Sequence, residues 1–253
     1  MSSSAKVART PRVVRIFPAL FALALIGASA SASAGWLDKL KEKLGGDDEK
    51  EQALGTDEVG SGLKEALRVG TETVVGNLGK TDGFNLDSQI HIPLPGQLDQ
   101  VKNVLGKVGM DSMLTDLELR LNRAAEIATP KAKKLFVQAI NDMTLDDVMA
   151  IYKGPEDSAT QYFKSKMSSP LAVEMKPVVD ESLADAGAVQ TYDSVMKNYN
   201  AVPFVPKVEA DLSDYVVQRG MDGIFYYLAK EEVAIRQDPA KRTTDLLKRV
   251  FGN

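Results

Sequence analysis

The sequence predicts an all-α protein, a compact multi-helix array of about eight to ten helices with no significant sheet. Three observations predict it. Apolar residues recur at three- and four-residue steps in one stripe after another. Capping residues, prolines and glycines punctuate those stripes at short intervals. No two segments show the alternation expected of paired strands. No fixed-period repeat is visible, which argues against a solenoid.

The chain opens on a different pattern. Lys6, Arg9, Arg12 and Arg15 form a basic start without an acid, followed by an apolar run from Ile16 to Ile26 and the small-residue ladder Ala28-Ser-Ala-Ser-Ala-Ser-Ala34. This is the layout of a cleavable export signal over residues 1–34, with cleavage after Ala34. The apolar run is shorter than the ~20 residues a membrane-spanning helix needs. The expected mature chain starts at Gly35 and works in the periplasm or outside the cell. Residues 35–53 then read as a short amphipathic segment and a charged linker. Trp36, Leu37, Leu40 and Leu44 share one helical face, and Gly45-Gly-Asp-Asp-Glu-Lys-Glu51 reads as a solvated tether. Two readings of the Trp36 face stay open: a peripheral membrane contact, or docking on the chain's own domain.

Residues 54–253 read as a single helical domain. Leu63, Leu67, Gly70, Val74 and Leu78 make the first long stripe, ended by Gly79 and Gly83. Ile90-His-Ile-Pro-Leu-Pro95 carries two prolines and reads as an extended connector. Leu98, Val101, Leu105 and Val108 form a second stripe, and Met113, Leu114, Leu117, Leu121, Ala124 and Ala128 a third. Thr129-Pro130, Ser169-Pro170 and Asp238-Pro239 each place a capping side chain before a proline, which predicts helix starts there. Thr144 and Asp147 have capping-box spacing, and Gly154 and Gly187 are expected helix stops. Pro177 should kink or split the helix around it. The last long helix should run from about Leu212 to Arg236, with Gly220 and Gly223 admitting a neighbouring helix.

Composition narrows the chemistry. The net charge is −4, and removal of the signal's four positive charges takes it to −8. An acidic chain with no basic patch is not expected to bind nucleic acid. There is no cysteine, which excludes thiol catalysis, disulfides and thiolate metal sites. His91 is the only histidine; a metal or general-base role would leave it without a partner, so a surface or capping role is expected. Asp82, Asn85 and Asp87 offer oxygen ligands but miss the calcium-loop spacing. No nucleophile elbow, phosphate-cradling loop or H-E-x-x-H pattern occurs. Asp146-Asp147 lies at a helix start, where negative charge is favourable. Glu232 and Arg236 are four apart, in the favoured orientation for an ion pair. Phe225-Tyr226-Tyr227-Leu228 covers most of a helix's circumference and reads as core, with a ring-lined pocket as the alternative.

Several blocks together resemble a known family. They are Gly62-Leu-Lys-Glu-Ala-Leu67, Ile90-His-Ile-Pro-Leu-Pro95, Leu121-Asn-Arg-Ala-Ala-Glu126, Met143-Thr-Leu-Asp-Asp147, Ala159-Thr-Gln-Tyr-Phe163, Leu212-Ser-Asp-Tyr-Val-Val217, Ala229-Lys-Glu-Glu-Val-Ala-Ile-Arg236 and Thr244-Asp-Leu-Leu-Lys-Arg-Val-Phe-Gly252. Over roughly Leu54 to Gly252 the chain resembles the exported bacterial domain of unknown function 4197 family. The resemblance implies one helical domain behind a signal or lipoprotein leader, and it carries no activity or catalytic residue. Lipidated members have a cysteine at the cleavage point, and this chain has none.

The function expected from these readings is a non-enzymatic binding or interaction protein of the cell envelope, without a cofactor. Its partner would be an envelope protein or a small apolar ligand. The alternatives are a periplasmic carrier of a lipid or other apolar molecule, and a glycan hydrolase working through two carboxylates. Asn122, Arg123, Glu126, Glu232 and Arg236 are the candidate binding residues; no catalytic or metal-ligating residue is nominated.

Overall fold

The structure is a computed structural model that describes residues 55–252. The predicted signal, its Ala34 cleavage point and the Trp36 segment lie outside the described residues. Nine α-helical segments follow in order: α1 (Thr56–Leu78), α2 (Asp99–Lys107), α3 (Asp111–Asp142), α4 (Leu145–Tyr152), α5 (Ser158–Tyr162), α6 (Ser168–Asp185), α7 (Ala188–Asn200), α8 (Leu212–Gln237) and α9 (Asp245–Phe251). A π-helical turn, Phe163–Met167, joins α5 to α6 without a break. No strand occurs among the described residues, so the fold is the all-α array that the periodicity predicts.

The apolar stripes determine how the helices meet. The four longest, α1, α3, α6 and α8, pack in cyclic order, α3 and α8 also meet across the middle, and the shorter helices close the ends and flanks. Leu63, Leu67, Val74 and Leu78 of α1 face Leu117, Leu121, Ala124 and Ala128 of α3 and Val216, Ile224, Phe225 and Leu228 of α8 in one core. Phe136 and Phe225 meet edge to face at its centre, 6.0 Å between ring centroids. A smaller cluster of Ala66, Ile235 and Leu247 seats α9 on α1. There a Cβ on Gly62 would come 2.4 Å from the Val250 side chain, so the glycine sets the approach of the two helices.

Local signals are realised where the competing partner is also local. Thr144 and Asp147 form the reciprocal capping box of α4. Asp238 accepts from Ala240 N–H with Pro239 at the first position of a short 3₁₀ turn. Gly187 follows α6 with φ +72°, the left-handed conformation of a glycine stop.

Other boundaries differ from expectation. Thr129-Pro130 starts no helix; it lies inside α3. The Thr129 hydroxyl donates to the Ala125 carbonyl at 2.7 Å, the helix-interior option of a threonine. The Pro130 ring packs on the end of α1, where a Cβ on Gly79 would come within 2.5 Å of it. Ser169-Pro170 lies in the first turn of α6, as expected of a helix start, but no side chain caps it: the chain arrives already helical through the π turn, which places the missing proline N–H where α-helical register is already lost. Pro177 does not split α6. Val108 lies past the end of α2 and is 55 % exposed, not core. Gly223 admits a loop, not a helix: its nearest neighbours are Phe84 and Ile90.

Candidate binding cleft and its buried braces

The connector between α1 and α2 has an exposed outer edge but sends three apolar residues into the core. Phe84 and Ile92 are fully enclosed and Ile90 nearly so, which takes their backbone amides out of water as well. Those amides need partners, and α3 supplies them from one face. Asn122 is 0 % exposed; its Oδ1 accepts from Ile92 N–H at 2.9 Å and its Nδ2 donates to the Ile92 carbonyl at 2.8 Å. One turn on, Glu126 Oε1 accepts from both Phe84 N–H and Asn85 N–H at 3.1 Å. Arg123 then bridges, donating to Glu126 Oε2 and to Asp82 Oδ1, each at 2.7 Å. His91 closes the same loop, with Nδ1 2.8 Å from the Asn85 carbonyl oxygen and Nε2 2.9 Å from Glu118 Oε1. Both ring nitrogens are engaged, which leaves none for a metal or a substrate.

From the other side α8 holds the loop through tyrosines. Tyr215 donates to the Pro93 carbonyl at 2.9 Å, Tyr226 to Gln89 Oε1 at 3.2 Å, and Tyr227 to Asp87 in a short bond. The outer edge of the loop, the second half of α1 and this stretch of α8 enclose an open cleft of about 510 Å³. Asp82, Asp87, Tyr227, Lys230 and Glu231 give it polar walls, and Leu86, 76 % exposed, forms an apolar rim. The Lys230 ammonium lies over the rings of Tyr226 and Tyr227, 4.3 and 5.4 Å from their centroids.

The charges in the cleft are set by their neighbours. Partial burial opposes ionisation of Asp87, but the Tyr227 hydroxyl, the Gln89 and Ile90 N–H groups and the Lys230 charge outweigh it and hold its pKa below the ordinary 3.8. Asn85 and Arg123, hydrogen-bonded to the Asp82 carboxylate, lower its pKa too. The bond to Asp87, burial and the charge of Asp87 together push Tyr227 up to about 12. Two carboxylates held ionised are the opposite of the raised general acid that glycoside hydrolysis requires. Among the described residues no group of three or more acids and histidines is placed to hold a metal ion.

The Asp87–Tyr227 bond has a pH signature. The depressed pKa of Asp87 contributes stability above its unfolded value of 3.8, lost as pH falls through the folded value. The raised pKa of Tyr227 contributes below its unfolded value of 10.0, lost as pH rises toward about 12. Tyr227→Phe should therefore cost about 1 kcal/mol near neutrality and flatten both limbs of a pH–melting profile, most visibly the alkaline one.

The second brace lies farther along α8. Glu232, nearly buried, accepts from Ala159 N–H, Thr160 N–H and the Thr160 hydroxyl, all at 3.0 Å. It thus caps α5, whose own N-cap residue Asp157 makes no side-chain capping bond and instead accepts from Gln161 Nε2. Arg236 donates to Glu232 at 3.0 Å, to the Ile151 carbonyl that ends α4 at 3.1 Å, and to Ser158 Oγ at 3.3 Å. The predicted pair forms, and it locks the α4–α5 junction.

Five polar residues are the binding candidates that the sequence offers. The structure gathers Asn122, Arg123 and Glu126 on the connecting loop and Glu232 and Arg236 on the α4–α5 junction. The two groups share no partner, and none of the five lines the cleft. The cleft's own residues are legible only in separate pieces: Val74 and Leu78 as an apolar stripe, Asp82 and Asp87 as a turn, and Tyr227 as a core ring. Leu86 and Lys230 carried no signal.

Fold and site together define a small all-helical protein whose buried polar braces fix one loop beside an open, mixed-polarity cleft. The chain belongs to the family described as protein of unknown function (DUF4197), whose model matches residues 53–252. No curated protein and no solved structure matches it.

Proposed function

We propose that this chain is an exported, non-enzymatic binding protein of the cell envelope, and that the cleft between α1, the connecting loop and α8 is its binding site. The N-terminal signal pattern motivates the location. The observation that carries the binding reading is the cleft itself. Its volume of about 510 Å³ lies within the range of small-ligand sites. Its carboxylates are held before any ligand arrives, Asp82 and Asp87 by hydrogen bonds from Arg123 and the Gln89 N–H and Glu231 by an ion pair with Lys241. Its chemistry suits a small molecule or peptide segment with an apolar face for Leu86 and a polar face for the Asp87–Tyr227–Lys230 wall. No helix among the described residues is long and apolar enough to cross a membrane. The lipid-carrier alternative has weaker support, because the apolar slot between α1, α8 and α9 offers only about 10 Å³.

The test places a photo-crosslinking amino acid at Leu86 in intact cells, with the same group at Val173, which is equally exposed on α6, as control. An adduct specific to position 86 is expected, and mass spectrometry would identify it. Adducts that are absent, or identical at both positions, would remove the cleft as a binding site.

A further inference from the structure

The sole histidine sits between two groups that can only accept. His91 Nδ1 lies 2.8 Å from the Asn85 carbonyl oxygen, and Nε2 lies 2.9 Å from Glu118 Oε1. A neutral imidazole has one N–H and can donate to one of them; the imidazolium donates to both. The second oxygen of Glu118 accepts from Leu94 N–H at 3.2 Å, which favours the ionised carboxylate. Among the described residues no lysine or arginine pairs with Glu118, so the ring is its counterion. The closed geometry is therefore that of a protonated His91 against an ionised Glu118. The imidazole is 31 % exposed, so water can reach it and take the proton away.

The bond to Asn85 closes an arc of the loop, and Leu86 and Asp87, which line the cleft, lie inside that arc. The backbone follows the same path. His91 N–H donates to the Asp87 carbonyl at 2.9 Å, and Asn85 N–H is held by Glu126. Ile90 and Ile92, on either side of His91, are core residues, so the ring acts where the arc enters the core. Loss of the Nε2 proton points a lone pair at a carboxylate oxygen 2.9 Å away and turns an attraction into a repulsion.

We propose that the proton on His91 Nε2 is a latch for the cleft: with it the Leu86–Asp87 wall is held to α3, and without it that wall loosens and the cleft loses its shape. The consequence for binding rests on the cleft being the binding site; the latch itself does not. Histidine exchanges such a proton between about pH 5 and 8, so the wall is firm in mildly acid surroundings and loose in mildly alkaline ones. The other charged and titratable groups around the ring come from three elements. On α3 they are Asp111, Arg123 and Glu126, and on the loop Asp82 and Asp87. On α8 they are Tyr215, Tyr226 and Tyr227, with Arg219 stacked on Tyr215, Lys230 over the other two rings, and Asp222 beside Gly223. Carboxylates ordinarily change charge near about pH 4, and phenols, ammonium and guanidinium groups near about pH 10 and above. Asp87, held below 3.8, and Tyr227, pushed up to about 12, lie farther out still. A change at this loop near neutrality is therefore assignable to His91.

The experiment uses the full chain labelled with nitrogen-15, whose single imidazole gives one pair of ring-nitrogen signals. At about pH 5.5 both nitrogens should carry a proton. As the pH rises to about 8.5, Nε2 should lose its proton while Nδ1, donating to the Asn85 carbonyl, keeps its own. Amide exchange, expressed as protection relative to an unstructured chain, should follow. Protection at the His91 amide should fall about tenfold or more between these two conditions, while protection along the middle of α3 holds. Glu118→Gln separates a latch from a merely structural contact. Its side-chain carbonyl can accept from Leu94 N–H while its amide N–H donates to the unprotonated His91 Nε2, so protection should stay high and lose its dependence on pH. His91→Ala should hold protection at the low level throughout. A ring nitrogen without a proton at about pH 5.5, loss of the Nδ1 proton first, protection that ignores pH in the parent, or a pH dependence that survives Glu118→Gln overturns the latch. None of these readouts involves a ligand, so such a result leaves the binding reading standing, whereas an absence of specific crosslinking at Leu86 in both conditions removes the binding site alone.

Discussion

Glu232→Ala is expected to destabilise the protein by about 3–5 kcal/mol, the range for breaking a buried ion pair from one side. The loss is large because one carboxylate serves three structures. It caps the first turn of α5 through Ala159 and Thr160, it satisfies the Thr160 hydroxyl, and it neutralises Arg236. With alanine there, two buried N–H groups lose their acceptor, and Arg236, whose side chain is only 13 % exposed, keeps its charge without a counterion. Arg236→Met should cost less by itself, because Glu232 keeps the α5 amides as partners. The double variant Glu232→Ala, Arg236→Met should recover part of the single-site loss, since the orphaned charge is gone. Urea unfolding monitored by circular dichroism measures all three. A Glu232→Ala loss below 1 kcal/mol, or a double variant that is fully additive, would show that the pair does not hold the junction.

The same residue shows how far the sequence can be read. The Glu232–Arg236 spacing predicts an ion pair because both partners lie on one helix, four residues apart. What the pair does is set by residues 72 to 85 positions away, Ala159, Thr160 and Ile151, and no local pattern encodes that meeting. The capping box at Thr144 and the turn at Asp238-Pro239 are likewise legible because every participant is a near neighbour. Thr129-Pro130 carries the same local signature as Asp238-Pro239 and ends up inside a helix. The difference is that the Pro130 ring has the end of α1 to pack against, a contact between residues far apart in the chain. The cleft follows the same rule. Asp87 and Tyr227 are 140 positions apart, and each taken alone reads as an ordinary turn acid and an ordinary core ring.

Asn122→Ala is the second large effect expected, about 2–4 kcal/mol, because it strips both the acceptor and the donor from the backbone of Ile92 in a place water does not reach. Asn122→Leu separates hydrogen bonding from packing. Leucine refills the volume but still leaves the Ile92 N–H and carbonyl unpaired, so it should destabilise nearly as much as alanine. A leucine variant close to the parent in stability would mean that the site needs only to be filled. The consequence should also be local. Hydrogen exchange should rise at Ile92 and, through the shared loop, at Phe84 and Asn85, before the α1–α3 contacts open. The loop carries Asp87 and Leu86 into the cleft, so its release should abolish position-specific crosslinking at Leu86 under conditions where the helices remain folded. Glu232→Ala acts at the α4–α5 junction and should lower global stability while that crosslinking persists in the folded fraction. Opposite outcomes for the two variants would place the control of the cleft at the α8 end instead of on the face of α3.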